Sequence, residues 1–133
     1  MKLNLFILLL LVQIISFAQE ENNALPYVIQ EPKYDTAPQF PGGSEALYKF
    51  FSDSIRYPEP EKTNHLQGSV SAKFEVTKIG QVIHIQLLNG VPGAPNLAKE
   101  TVRLLQAMPA WVPASKDGKP VDAEVILSVP FKL

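Results

Sequence analysis

The chain has 133 residues, no cysteine, 12 prolines, and 12 basic against 13 acidic side chains, a formal net charge of −1. The length suits one domain that buries a core unaided, and the absent cysteines exclude a disulfide framework, a thiolate nucleophile, a Cys-type zinc site and an acylated N-terminal cysteine. Balanced charge gives neither the basic stripe of a nucleic-acid binder nor a reason for electrostatic docking on a membrane.

Residues 1–18 read as an export signal. Lys2 is a minimal charged start, Leu5 to Val12 is an unbroken apolar run, and Ser16 and Ala18 place small residues at −3 and −1 of a cut before Gln19. The apolar stretch, about 14–16 residues, falls short of the roughly 20 that cross a bilayer. A cleaved signal peptide is therefore expected, with a retained anchor as the alternative. Fourteen of these eighteen residues are apolar, so the chain's 46% hydrophobic share drops to about 41% in the remainder, an ordinary globular value. Residues 19–40 form an extended lead-in punctuated by Pro26, Pro32 and Pro38, with at most one short strand at Tyr27–Gln30. The folded domain is expected over 41–133.

Gly42-Gly43-Ser44 opens a first helix, with Ser44 placed to cap and Glu45 suited to the positive end. Leu47, Phe50, Phe51 and Ile55 form its apolar stripe. Pro58 stops it, and Glu59 to His65 read as a polar linker. Gly68–Thr77 alternates strictly: Val70, Ala72, Phe74 and Val76 inward, Ser71, Lys73 and Glu75 outward. Lys78-Ile79-Gly80 turns the chain into a second strand, Gln81–Leu88, with Ile83, Ile85 and Leu87 inward and His84 and Gln86 outward. A second helix runs from an Asn96 cap to about Met108, with Leu97, Thr101, Leu104, Leu105 and Met108 on one face. Asp117–Pro120 is a turn. Val121–Leu133 alternates again, with Val125, Leu127, Val129 and Phe131 inward and Glu124, Ser128 and Lys132 outward. Pro130 cannot donate to a ladder, which puts this strand at a sheet edge. The order defines an α+β fold: a small antiparallel β-sheet, a hairpin plus a C-terminal strand, with two helices packed on one face.

The residues offer little chemistry. His65 and His84 lack metal-motif spacing, and Pro41-Gly42-Gly43-Ser44 is neither a nucleophile elbow nor a phosphate loop. The acidic pairs Glu59/Glu61 and Asp122/Glu124 read as solvated charges, and Trp111 between two prolines reads as a core plug. No catalytic residue, cofactor or metal ligand is expected. A free sheet edge that captures an extended peptide is the remaining functional feature.

Several motifs carry a resemblance: Pro41-Gly42-Gly43, Tyr57-Pro58, Gly68-x-Val70-x-x-x-Phe74-x-Val76, Gly80-x-Val82, Met108-Pro109-x-Trp111-x-Pro113, Gly118-Lys119-Pro120-Val121 and Val129-Pro130-Phe131-Lys132-Leu133. In this order and spacing they resemble the TonB C-terminal domain, the periplasmic end of the energy transducer for outer-membrane transport. The resemblance implies the same fold, a periplasmic location (inner-membrane anchored if the N-terminus is retained), and a non-enzymatic mechanism. It implies that the N-terminal box peptide of an outer-membrane TonB-dependent transporter adds as a strand. The receiving edge would be Glu124, Val125, Ile126, Leu127, Ser128, Val129 and Phe131, flanked by Arg56 and Tyr57. It also implies an ExbB/ExbD-type motor as a partner where the N-terminus stays as an anchor. Arg56 stands where the family often has a polar amide, and Ala114 where glycine is usual. A free periplasmic adaptor of the same fold, without energy coupling, is the alternative, and the exposed edge leaves a strand-exchanged homodimer open.

Overall fold

A computed structural model describes residues 33–133; the expectations for the export signal, its cut and a strand at Tyr27–Gln30 lie outside the described residues. The described chain folds in the order α1 (Gly43–Ser54), α2 (Glu59–Thr63), β1 (Gly68–Val76), β2 (Val82–Asn89), α3 (Pro95–Ala107), β3 (Ala114–Lys116), β4 (Lys119–Val121) and β5 (Ala123–Phe131). β2, β1 and β5 form an antiparallel sheet in that spatial order, with β1 central, and β3 and β4 form a separate hairpin.

The alternation of β1 buries Val70, Ala72, Phe74 and Val76 almost completely, as its sequence pattern demands. Of the α1 stripe Phe51 is buried and Leu47, Phe50 and Ile55 are half-buried, whereas α3 buries Leu97, Thr101, Leu104 and Leu105. Phe51 of α1 joins Leu97 and Leu104 of α3 and Val129 and Phe131 of β5 in one cluster. A second cluster unites Phe74, Leu105, Trp111 and Phe40. Trp111, 7% exposed, meets the rings of Phe40 and Phe74 edge-on at 5.7 and 5.4 Å. It is the expected core plug. Its backbone N–H donates to the Gly80 carbonyl at 2.9 Å, so the hairpin turn is tied to this corner.

The end of the lead-in is extended and also bound to the fold. Asp35 and Thr36 donate to the Ser115 carbonyl at 2.8 and 3.2 Å, and Ser115 donates back to Thr36 at 3.1 Å. Gln39 and Val112 exchange both main-chain hydrogen bonds, at 2.9 and 2.8 Å.

Five local expectations are corrected. Ser44 does not cap α1: Gly42, with φ +86°, occupies the cap position, and no side chain bonds there. Residues 59–63 are helical rather than a polar linker, because Pro60 suits a first turn and Glu59 and Glu61 suit its positive end. Glu61 is not a solvated charge: it is 2% exposed and its carboxylate accepts the Asn96 backbone N–H at 2.9 Å and its side-chain amide at 3.2 Å. Asn96 is therefore not a cap but the second residue of α3, capped in its turn by Glu61. In β2 the inward set shifts. Glu75 pairs with Ile83 but Lys73 with Gln86, so one extra residue is inserted at His84, whose φ is +54°. Such a bulge reverses the phase of the pleat. Val82 and Ile85 face the core, and Ile83 shares the outer face with Glu75.

Near the C-terminus the expected turn is a tight hairpin. Asp117 and Gly118 both have positive φ, +52° and +74°, the geometry of a two-residue turn between β3 and β4. Val121 closes that hairpin, and the long last strand starts at Ala123.

Candidate peptide-binding edge

β5 pairs with β1 on one side only, and among the described residues no strand covers its other side. The register is unbroken over nine pairs, from Gly68 opposite Phe131 to Val76 opposite Ala123. The outer face is knitted to β1 by a Ser71–Ser128 hydroxyl pair at 2.8 Å and by Lys73 and Glu124 at 3.9 Å. Of the residues expected at the site, Glu124, Ile126 and Ser128 are exposed, Val125 and Leu127 are half-buried, and Val129 and Phe131 are buried. Ile126, 64% exposed, is the large apolar side chain that β5 turns to solvent. The buried pair can offer a partner only main-chain groups.

β2 forms the opposite edge, and it is a poor template. Register shifts fall between Ser71 and Ala72 and between Lys73 and Glu75, so β2 carries two irregularities within eight residues. Bulges of this kind blunt an edge against further pairing. A regular β5 and a broken β2 make the two sides of the sheet unequal.

The expected flank lies beside the end of β5. Tyr57 sets its ring edge-on to Phe131 at 5.9 Å and donates its hydroxyl to the Leu66 carbonyl. Burial, and the negative charge of Glu61, push the Tyr57 phenol above its usual range. Arg56 is exposed, and its backbone N–H donates to Glu100 Oε1 at 2.8 Å. Arg103 holds both groups in place: Nε donates to Glu100 Oε2 at 2.8 Å, and Nη2 donates to the Ser54 carbonyl at 2.7 Å. Glu100 is 8% exposed. Burial raises its carboxyl, but the hydrogen bonds from Arg103 and Arg56 and their positive charges outweigh that and hold it below the usual carboxylate value. The hydrogen bond to Glu100 likewise raises Arg103. The segment Ser54–Tyr57 is thus fixed by α3, an element whose charges the sequence reading left without a role. A Glu and an Arg three apart, next to the apolar face of a helix, were the available signal.

A groove follows the same flank. About 340 Å3 in volume, it lies between α1 and the last residues of the chain and is walled by Tyr48, Phe51, Ser52, Ile55, Pro130 and Lys132. Among the described residues no group of three or more His, Asp or Glu side chains is placed to hold a metal ion. No helix among them is long and apolar enough to cross a membrane.

A small α+β domain with one regular free edge, braced beside a groove, has the build of a protein-interaction domain. Residues 53–133 match the family model for the C-terminal domain of the Gram-negative bacterial TonB protein, and the chain belongs to that family. The family is associated with the bacterial envelope. Two solution structures of the Helicobacter pylori TonB C-terminal domain are similar to it. The shorter is 17% identical, covers 63% of this chain and 88% of its own, and has a TM-score of 0.40. The longer is 19% identical, covers 70% and 88%, and has a TM-score of 0.42. No curated protein matches.

Proposed function

We propose that this domain takes the N-terminal box peptide of an outer-membrane TonB-dependent transporter as an added strand on β5, within energy-coupled transport. The observation that carries the reading is the inequality of the two edges: β5 has nine residues in unbroken register, whereas β2 is interrupted twice. Main-chain hydrogen bonds give such a complex its affinity, and no bond in either partner need be made or broken. Tyr57 against Phe131, and the Glu100–Arg103 brace behind Arg56, support a rigid flank for the incoming strand. A motor of ExbB/ExbD type would supply the work wherever the chain is anchored to the inner membrane. Titrating the 15N-labelled protein with a synthetic TonB-box peptide tests the reading. Amide shifts should concentrate in residues 124–131 with a smaller set at 56–57. An unchanged spectrum at millimolar peptide, or shifts confined to β2, would reject it.

A further inference from the structure

Main-chain pairing along β5 repeats every two residues, so hydrogen bonds alone accept several alignments of an added strand. One alignment prevails only where a side chain is anchored. The groove between α1 and the end of β5 stands in the right place for that anchor. Along β5, Val129 and Phe131 point to the helix layer, where Phe51 of α1 packs with them. In a strand laid beside β5, every second side chain points to that same layer. Residues directly opposite across a pair stand about 4.5–5.5 Å apart, which brings such a side chain within reach of α1.

The walls define what would enter. Tyr48, Phe51, Ile55 and Pro130 contribute apolar lining, and Tyr48 is 64% exposed. Ser52 adds a hydroxyl. Lys49 and Asp53, also on α1, pair with each other. Among the described residues Lys132 makes no ion pair and is the one cationic residue of the groove wall. An apolar slot with a single unpaired ammonium complements a branched or aromatic side chain with a carboxylate close by.

We propose that this groove buries one apolar side chain of the strand added to β5, beside an acidic residue facing Lys132, and thereby sets the strand's register. The inference rests on strand addition at β5. Its test uses the full chain, a synthetic TonB-box peptide and the peptide's single-alanine variants, followed by calorimetry and amide shifts. Ser52→Trp fills the groove without touching the β5 main chain, and Tyr48→Ala removes an exposed wall that folding does not need. Each should weaken binding about tenfold while the amides of 124–131 still move at saturating peptide. One alanine variant of the peptide should lose a similar factor, and Lys132→Ala up to about fivefold, in low salt only. Wild-type affinity in both groove variants, or losses spread evenly along the peptide, would overturn the anchor and leave strand addition standing. Shifts at residues 48–55 that depend on protein concentration, without peptide, would give the groove to a second copy and overturn it too. Motionless β5 amides in the wild type would reject both readings.

Discussion

The buried carboxylate of Glu100, on α3, receives the backbone N–H of Arg56 at 2.8 Å, across 44 residues of sequence. Through Arg103 the same carboxylate also governs the Ser54 carbonyl. One side chain therefore decides where the chain leaving α1 meets the end of β5.

This brace gives the fold a pH dependence. Glu100 is held below the usual value of 4.5, so its ionised form stabilises the folded state fully above that value. The contribution is lost as the pH falls through the depressed folded-state value. Between about pH 5 and pH 3 the wild-type melting temperature should fall more steeply than that of Glu100→Gln. Parallel curves would show that the carboxylate carries no net charge stabilisation. At neutral pH, Glu100→Ala should cost roughly 1–3 kcal/mol by denaturant unfolding, because it strands the Arg56 N–H while water compensates the partly exposed Arg103.

A second test addresses the edge. Pro130 has no N–H, and a proline sits in a sheet with its nitrogen turned from the ladder. The unbroken register then turns the amide of Ser128, two residues earlier, the same way. Ser128→Pro should remove an outward donor and weaken peptide binding at least about fivefold relative to Ser128→Ala. Equal affinities for the two variants would argue against this edge.

Gly80 should tolerate no side chain. Its φ is +86°, and a Cβ there would lie 2.3 Å from the Trp111 carbonyl oxygen. Gly80→Ala should destabilise by roughly 1–3 kcal/mol from the backbone alone, with more from the clash. A chemical denaturation midpoint equal to wild type would mean that the turn and the tryptophan corner separate at little cost.

Phe74, 1% exposed at the centre of β1, contacts Trp111 edge-on. Its replacement by alanine should cost roughly 3–5 kcal/mol. A loss under about 1 kcal/mol would place the strand in the wrong register.

Legibility in the sequence followed the length of each pattern. β1 alternates for nine residues, and α1 and α3 repeat their apolar stripes over three turns, so burial was written into their spacing. Pro130 marked β5 as an edge for a chemical reason, the missing donor. The five residues of α2 are too few to show a period. The burial of Glu61 makes sense only once the start of α3 stands over it with open N–H groups. His84 inverts the phase of β2 because a bulge depends on the partner strand, and nothing in the local residues announces it. The edge residues of the candidate site were readable as one run, whereas the groove unites positions 48–55 with 130 and 132, which only the tertiary fold brings together.

The clasp between residues 35–39 and the segment Val112–Ser115 has a mechanical meaning. Five main-chain hydrogen bonds run crosswise between the two segments. Traction on the chain ahead of Asp35 meets the bonds of Asp35 and Thr36 to Ser115 first and those of Gln39 to Val112 next. Behind them Phe40 is wedged against Trp111. A pull there therefore meets this clasp and that wedge before it reaches α1.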